Sequence, residues 1–163
     1  MIDPIKFKEC LNNSSFDFFT GVPDSVLKFL TNTIPDKNHI IAVNEGAALG
    51  LSIGYNLATN KIPVVYLQNS GLGNLINPYL SISSKSMYDF PVLFIIGWRG
   101  KPETKDAPQH KHQGKVTKDL LKLMEVKVFE INGKNYPEII KKSKKLIKKG
   151  ENIALLVEKN KFR

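Results

Sequence analysis

Cysteine occurs once, at Cys10, so no disulfide can form within the chain, and a reducing compartment is expected. Arginine is nearly as scarce: of 24 basic residues only Arg99 and Arg163 carry a guanidinium, and the rest are lysine. That removes most of the forked donors that read bases and clamp phosphates. No apolar run is long enough to cross a bilayer, the strongest being Pro91 to Trp98. The first residues, Met1-Ile2-Asp3-Pro4-Ile5-Lys6, lack the apolar core of a signal peptide. No repeat and no low-complexity linker interrupts the chain. These absences point to the cytoplasm, with no membrane partner.

What is present is an ordinary globular composition. The chain has 163 residues, 42% of them hydrophobic, which is enough for one well-buried core. The net charge of +9 invites a nucleic-acid reading, which the pattern of lysines argues against. The densest basic run, Pro137 to Gly150, places Ile139, Ile140, Leu146 and Ile147 on one helical face and the lysines on the other. That is a solvated helix face, and nucleic acid is not expected as a partner, although weak attraction to anions is.

Helical and strand patterns alternate from end to end. A first helix is expected over Asp3 to Asn12, with Ile5, Phe7 and Leu11 facing inward. A strand over Phe16 to Thr20 meets the turn Gly21-Val22-Pro23-Asp24-Ser25, and a helix over Ser25 to Thr33 follows. Strand 39–43 leads into a helix of small residues, and Pro63 to Leu67 is the next strand. Residues Gly71 to Tyr88 read as partly helical, with Pro78 near a first turn or a break. Pro91 to Ile96 is the strongest strand, apolar on both faces. A long polar loop, Gly97 to Gly114, precedes a helix over Val116 to Glu125, strand 127–131, the lysine helix and strand Asn152 to Val157. Short apolar strands alternating with helices imply an α/β fold: an open, mainly parallel sheet with helices on both faces. In such sheets ligands gather at the carboxyl ends of the strands. The unusual residues fall there, at Gly21–Ser25, Asn44–Glu45, Gln68–Asn74 and Gly97–Gln113.

The most informative stretch is Ala42 to Tyr55, where a short apolar strand gives way to a helix rich in glycine and alanine. Three glycines in one helix cost about 3 kcal/mol relative to alanine, so a compensating role is expected for Gly46, Gly50 and Gly54. Spaced by four, they share one face, which lets a backbone or a flat ligand approach closely. Glu45 stands at the head of that face. On local grounds alone it serves equally well as a first-turn carboxylate complementing the helix dipole. Gly21 to Ser25 likewise fits plain helix-start chemistry. The glycine-rich turn Gln68-Asn69-Ser70-Gly71-Leu72-Gly73-Asn74 could cradle a phosphate. It lacks the third glycine of a dinucleotide fingerprint, because position 76 is isoleucine. His110-Lys111-His112 offers two metal ligands without a third, so no metal site is expected.

Taken in order, these strings resemble one family. Asn44-Glu45 with its small-residue helix is similar to the pyrimidine-binding domain of thiamine diphosphate enzymes. Phe19 to Ser25, Gln68 to Pro78, and Gly97-Trp98-Arg99-Gly100 with Pro108-Gln109-His110 and Gln113-Gly114 resemble phosphonopyruvate and sulfopyruvate decarboxylases. The resemblance spans roughly residues 14–158. It implies that Glu45 hydrogen-bonds the aminopyrimidine ring of the cofactor and activates it. It implies that Val22, Pro23, Gln68, Asn69 and Asn74 line the cofactor, and that Asp24, Ser25, Arg99, Gln109 and Gln113 contact the substrate. His110 joins Glu45 as the second candidate catalytic residue, for proton handling.

One part of the family pattern is missing. The Gly-Asp-Gly that holds the diphosphate and its Mg2+ does not occur, so those groups are expected on a domain or subunit outside this chain. Residues 1–163 are then a single pyrimidine-binding domain without a diphosphate-binding domain. The expected function is half of a thiamine diphosphate-dependent decarboxylase acting on a small anionic 2-oxo acid, phosphonopyruvate first and sulfopyruvate second. A homo- or hetero-oligomer is the expected state. A non-catalytic dimerisation or regulatory module of the same shape, and a nucleotide-binding protein, are the competing readings.

Overall fold

The computed structural model describes residues 1–163. Six strands form one wholly parallel sheet in the order β2-β1-β3-β4-β6-β5. They are β1 (Phe19–Gly21), β2 (His39–Ile41), β3 (Val64–Gln68), β4 (Leu93–Trp98), β5 (Lys127–Ile131) and β6 (Ile153–Glu158). The helices are α1 (Pro4–Asn13), α2 (Lys28–Thr31), α3 (Glu45–Thr59), α4 (Leu72–Pro78), α5 (Pro108–Leu123) and α6 (Tyr136–Ile147).

Strand alternation divides the core into two layers. Val64, Tyr66, Leu93, Ile95, Ile153 and Leu155 face one side, where they meet Phe7, Leu11, Leu30, Ile140 and Ile147 of α1, α2 and α6. Val65, Leu67, Phe94, Ile96, Ala154 and Leu156 face the other, against Leu49, Ile53, Leu75 and Leu121 of α3, α4 and α5. Every residue of β4 is buried, as its apolar run implies. The chain runs from β1 outward to β2, then returns to the far side of β1 to form β3. The order therefore reverses between β1 and β3, which is where open α/β sheets leave a crevice at the carboxyl ends.

Several boundaries differ from the sequence expectation, each for a physical reason. Strand β1 starts at Phe19 because Ser15 takes a positive φ of 62° and Phe16 packs into the core before the ladder begins. Strand β2 ends at Ile41, and Val43 beyond it is 91% exposed. The expected helix from Ser25 shrinks to the single turn of α2, because residues 24–27 form a tight turn closed by the Leu27 amide on the Asp24 carbonyl. Ile5 is exposed, while Phe7 and Leu11 carry the inward face of α1. Pro78 closes α4, and a π-helical turn, Tyr79–Ser83, takes over from it.

The largest correction concerns the polar loop expected over Gly97 to Gly114. It ends at Ala107, and Pro108 opens α5 at its first helical position, where a missing N–H costs nothing. The polar residues His110 to Gln113 hid this start, because only Gly114, Thr117 and Leu121 of α5 are buried. Gly114 lies so near Gly100 that a Cβ there would overlap the Gly100 carbonyl, and Gly100 itself takes a φ of +66°. The Trp98 indole donates to the Gly114 carbonyl at 2.9 Å and pins the helix to β4.

Two buried polar groups knit the remaining joints. Asn152 accepts from the Val92 amide at 2.9 Å and donates to the Tyr79 hydroxyl at 3.1 Å and the Ser83 carbonyl at 3.2 Å. Asp106 closes loop 99–107. It accepts from the Arg99 guanidinium at 2.6 and 2.7 Å and from the Gly100 and Ala107 amides at 2.9 Å. These donors, Arg99 foremost, hold its carboxyl well below the usual carboxylate range.

Replacing Asn152 by alanine is expected to orphan the Val92 amide and the Tyr79 hydroxyl at a cost of about 2–3 kcal/mol. A thermal melt followed by circular dichroism should show a midpoint lower by about 5–10 °C, and an unchanged midpoint would refute the role given to Asn152. Asp106 has a depressed folded-state pKa, so its contribution is complete above the unfolded pKa and is lost as the pH falls. Asp106→Asn should therefore be less stable by about 3 kcal/mol at pH 7. Denaturant titrations should show that gap closing by about 1.4 kcal/mol per pH unit below about pH 4.

Candidate functional site

Glu45 is the first residue of α3, directly after the Asn44 cap, whose side chain accepts from the Ala47 amide at 2.8 Å. Although charged, it is only 8% exposed. One carboxylate oxygen, Oε2, accepts from the Asn74 side-chain amide at 2.8 Å. The other is bounded by Gly71, where a Cβ would overlap the Glu45 carboxyl group. Gly71 is thus required by the glutamate: any larger residue there would displace it. The turn Asn69–Gly71 that follows β3 and the helix α4 after it exist on one side of Glu45, and α3 on the other. Of the three expected close-approach glycines only Gly46 has another element close by: a Cβ there would lie 3.3 Å from the Asn74 carbonyl oxygen and from the Pro78 ring. Gly50 and Gly54 face open space within this chain.

A second cluster forms at the ends of β1 and β4. Arg99 spends Nε and Nη2 on Asp106 and directs Nη1 to the Ser25 hydroxyl at 3.2 Å. Its fork is therefore fixed in place by a carboxylate. Asp24 is buried beneath Gly97, where a Cβ would overlap its carboxylate. Neither oxygen of Asp24 closes a hydrogen bond. Burial pushes its carboxyl up, offset in part by the nearby Val26 and Leu27 amides and by the Arg99 charge.

The other sequence candidates divide between these clusters. Asn69 is buried and holds the β3 and β4 ends together, exchanging bonds of 3.0 Å with the Arg99 backbone and donating to Thr117 at 2.9 Å. Its side chain is thereby committed within the chain. Gln68 donates to the Ser70 hydroxyl at 2.6 Å. The Val22 amide donates to the Tyr66 carbonyl at 3.2 Å, and Pro23 lies exposed just beyond it. Gln109, His110 and Gln113 occupy the first two turns of α5 rather than a loop, with Gln109 exposed and the other two half-buried. Sequence reasoning gave no role to Asp106, Gly71 or Thr117. The signals were faint: one acid among lysines, a glycine in a glycine-rich turn, and a threonine four residues after Gln113.

At the head of α3 the arrangement offers a dry carboxylate with one oxygen anchored and a neighbouring turn whose Gly71 leaves its side-chain space to that carboxylate. A flat ring bearing a nitrogen donor fits that geometry, because the unanchored Oε1 is an acceptor in a water-poor setting.

A phosphonopyruvate decarboxylase of Streptomyces viridochromogenes is 37% identical over 109 residues, covering 65% of this chain and 27% of that protein. The chain thus spans about a quarter of the length of that relative. Sulfopyruvate decarboxylase subunit alpha of Methanocaldococcus jannaschii is 32% identical over 141 residues, covering 85% of this chain and 78% of the subunit. The crystal structure of benzoylformate decarboxylase from Polynucleobacter necessarius shares the fold, with a TM-score of 0.73 at 15% identity, over 98% of this chain and 30% of that one. Residues 7–123 match the family described as thiamine pyrophosphate enzyme, N-terminal TPP binding domain. The chain belongs to that family.

Proposed function

We propose that this chain is the pyrimidine-binding part of a thiamine diphosphate-dependent decarboxylase that converts phosphonopyruvate to phosphonoacetaldehyde and carbon dioxide. The observation that carries the reading is Glu45, a buried carboxylate anchored by Asn74 and seated against Gly71 in a chain of this family. Thiamine diphosphate, when bound, supplies a carbon nucleophile and an electron sink for the carboxylate that leaves. Glu45 Oε1 accepts a hydrogen bond from the cofactor's ring nitrogen and takes part in the proton movement that activates the ring. Asn74 fixes the carboxylate for that bond. Ser25, Arg99 and the polar residues Gln109, His110 and Gln113 bind the substrate and handle its proton, with Asp24 behind them. Mg2+ and the diphosphate are held by a separate domain or subunit.

Sulfopyruvate is the second reading for the substrate. The match over most of the length of a sulfopyruvate decarboxylase alpha subunit favours an arrangement in which the two halves are separate chains. The partner would cover the outer face of α3, which is free of charge from Gly46 to Asn60 and exposes Leu51 and Leu57 beside the open Gly50 and Gly54. In a protein of net charge +9, that neutral strip is the surface on which a partner meets least desolvation cost.

Glu45→Gln is expected to melt within about 1 kcal/mol of the wild type, yet to lower turnover of the assembled enzyme at least about 100-fold. Retention of full carbon dioxide release from phosphonopyruvate in Glu45→Gln would refute the cofactor-activating role given to Glu45, and its absence from the wild-type assembly would refute the decarboxylase reading. Leu57→Glu should leave the isolated chain folded and weaken its association with a diphosphate-binding partner by about tenfold or more. Analytical ultracentrifugation of the mixed subunits reads this directly, and unchanged association would move the interface elsewhere.

A further inference from the structure

A cavity of about 200 Å³ opens between the turn after β1 and the segment after β6, lined by Ser25, Lys28, Phe29, Lys159, Asn160 and Phe162. Its two rims are tied to the same ion pair. Ser25 accepts from Arg99 Nη1 at 3.2 Å, and Lys159 Nζ stands 3.6 Å from Asp106 Oδ1. Asn160 takes a φ of 63° and turns the chain back over the opening, while the buried Phe162 forms part of the apolar floor.

The charge around this cavity does not balance. Asp106 already satisfies the Arg99 fork and two backbone amides, so one carboxylate answers both Arg99 and Lys159. Lys28 has no carboxylate near it, and its ammonium lies 4.9 Å above the Phe29 ring. Arg99 and Lys159 thus share one ion-paired carboxylate, and Lys28 makes no ion pair. The next acid along the chain, Asp24, is buried and pairs with neither lysine; desolvation raises its carboxyl against the pull of the Val26 and Leu27 amides and the Arg99 charge. The Ser25 hydroxyl accepts from Arg99 and keeps its own proton free to donate. A compact opening with a hydroxyl donor and two lysines, backed through Ser25 by a fixed guanidinium outside its lining, suits a small tetrahedral anion.

We propose that this cavity is an oxyanion subsite that takes the phosphonate or sulfonate tail of the substrate, with Ser25, Lys28 and Lys159 as donors and Arg99 as the fixed cation behind them. The identity of the natural ligand rests on the decarboxylase reading, whereas the oxyanion chemistry needs neither cofactor nor partner. The test is a two-dimensional NMR titration of the whole chain with methylphosphonate, repeated with methanesulfonate and acetate. Saturable shifts are expected at Ser25, Lys28 and Asn160. Lys159→Met should raise the Kd about tenfold, with Lys159→Arg restoring most of it, and Lys145→Met on the distant face of α6 should leave it within about twofold. Tighter binding of methylphosphonate than of methanesulfonate would support the site and name the phosphonate tail, and the reverse order would support it and name the sulfonate.

Equal binding of acetate, shifts scattered over the lysine surface, or an equal loss in Lys145→Met would overturn the subsite in favour of bulk charge. The two readings fail separately. Methylphosphonate binding here alongside a wild-type assembly, cofactor and Mg2+ supplied, that releases no carbon dioxide from phosphonopyruvate or sulfopyruvate would remove the decarboxylase reading and keep the subsite. Unchanged methylphosphonate binding in Lys159→Met would remove the subsite whatever Glu45 does.

Discussion

Burial of carboxylates at the carboxyl end of one parallel sheet is the constraint around which the rest of this molecule is arranged. Three acids lie there, and each is treated differently. Asp106 receives a bidentate guanidinium and two backbone amides, so its charge is fully compensated. Glu45 receives one side-chain amide and keeps an acceptor oxygen in reserve. Asp24 receives no hydrogen bond and is driven toward its neutral form. Desolvating an unpaired carboxylate costs several kcal/mol, so this gradation is a statement about use. The compensated acid builds the loop, while the other two leave acceptor oxygens unpaired near the strand ends.

Glycine makes the arrangement possible. Gly71 yields its side-chain space to Glu45, and Gly97 yields its own to Asp24, on the ends of neighbouring strands. Gly100 and Gly114 do the same for the packing of α5 against the end of β4. These positions were visible as glycines but not as contacts. The three glycines of α3 were the more conspicuous pattern, and two of them touch nothing inside the chain. Periodicity marks which face of a helix is smooth. It does not say whether the surface that meets it belongs to the same polypeptide.

That limit explains what the sequence revealed and what it withheld. The α/β class, the parallel order and the doubly buried β4 follow from apolar runs that tertiary packing had no reason to override. Glu45 could be singled out because a carboxylate at the junction of an apolar strand and a small-residue helix is chemically odd. The start of α5 was hidden because its first two turns pack through backbone and glycine, leaving no apolar stripe to read. The engagement of Arg99 was hidden for a related reason. Its partner Asp106 lies seven residues away within a loop, and no period connects the two. The exposure of Ile5, by contrast, was a wrong choice among three apolar residues of α1 where two suffice to fill the layer.

Fixing Arg99 changes what it can contribute. A free guanidinium facing solvent would be strongly hydrated and would lose side-chain entropy on gripping an anion. Here the Asp106 carboxylate and the end of β4 have already absorbed that cost, and only Nη1 remains directed outward, toward Ser25. The price is a weaker net field, because Asp106 cancels most of the charge it orders. Lys28 and Lys159 restore it from the flanking segments, one after β1 and one after β6. A rigid but neutralised arginine supplies direction, and lysines on the flanking segments add charge. This division of labour also accounts for a basic protein with so few arginines. Only at this one strand end does the fold demand a cation of fixed geometry, and there the chain places its one internal arginine.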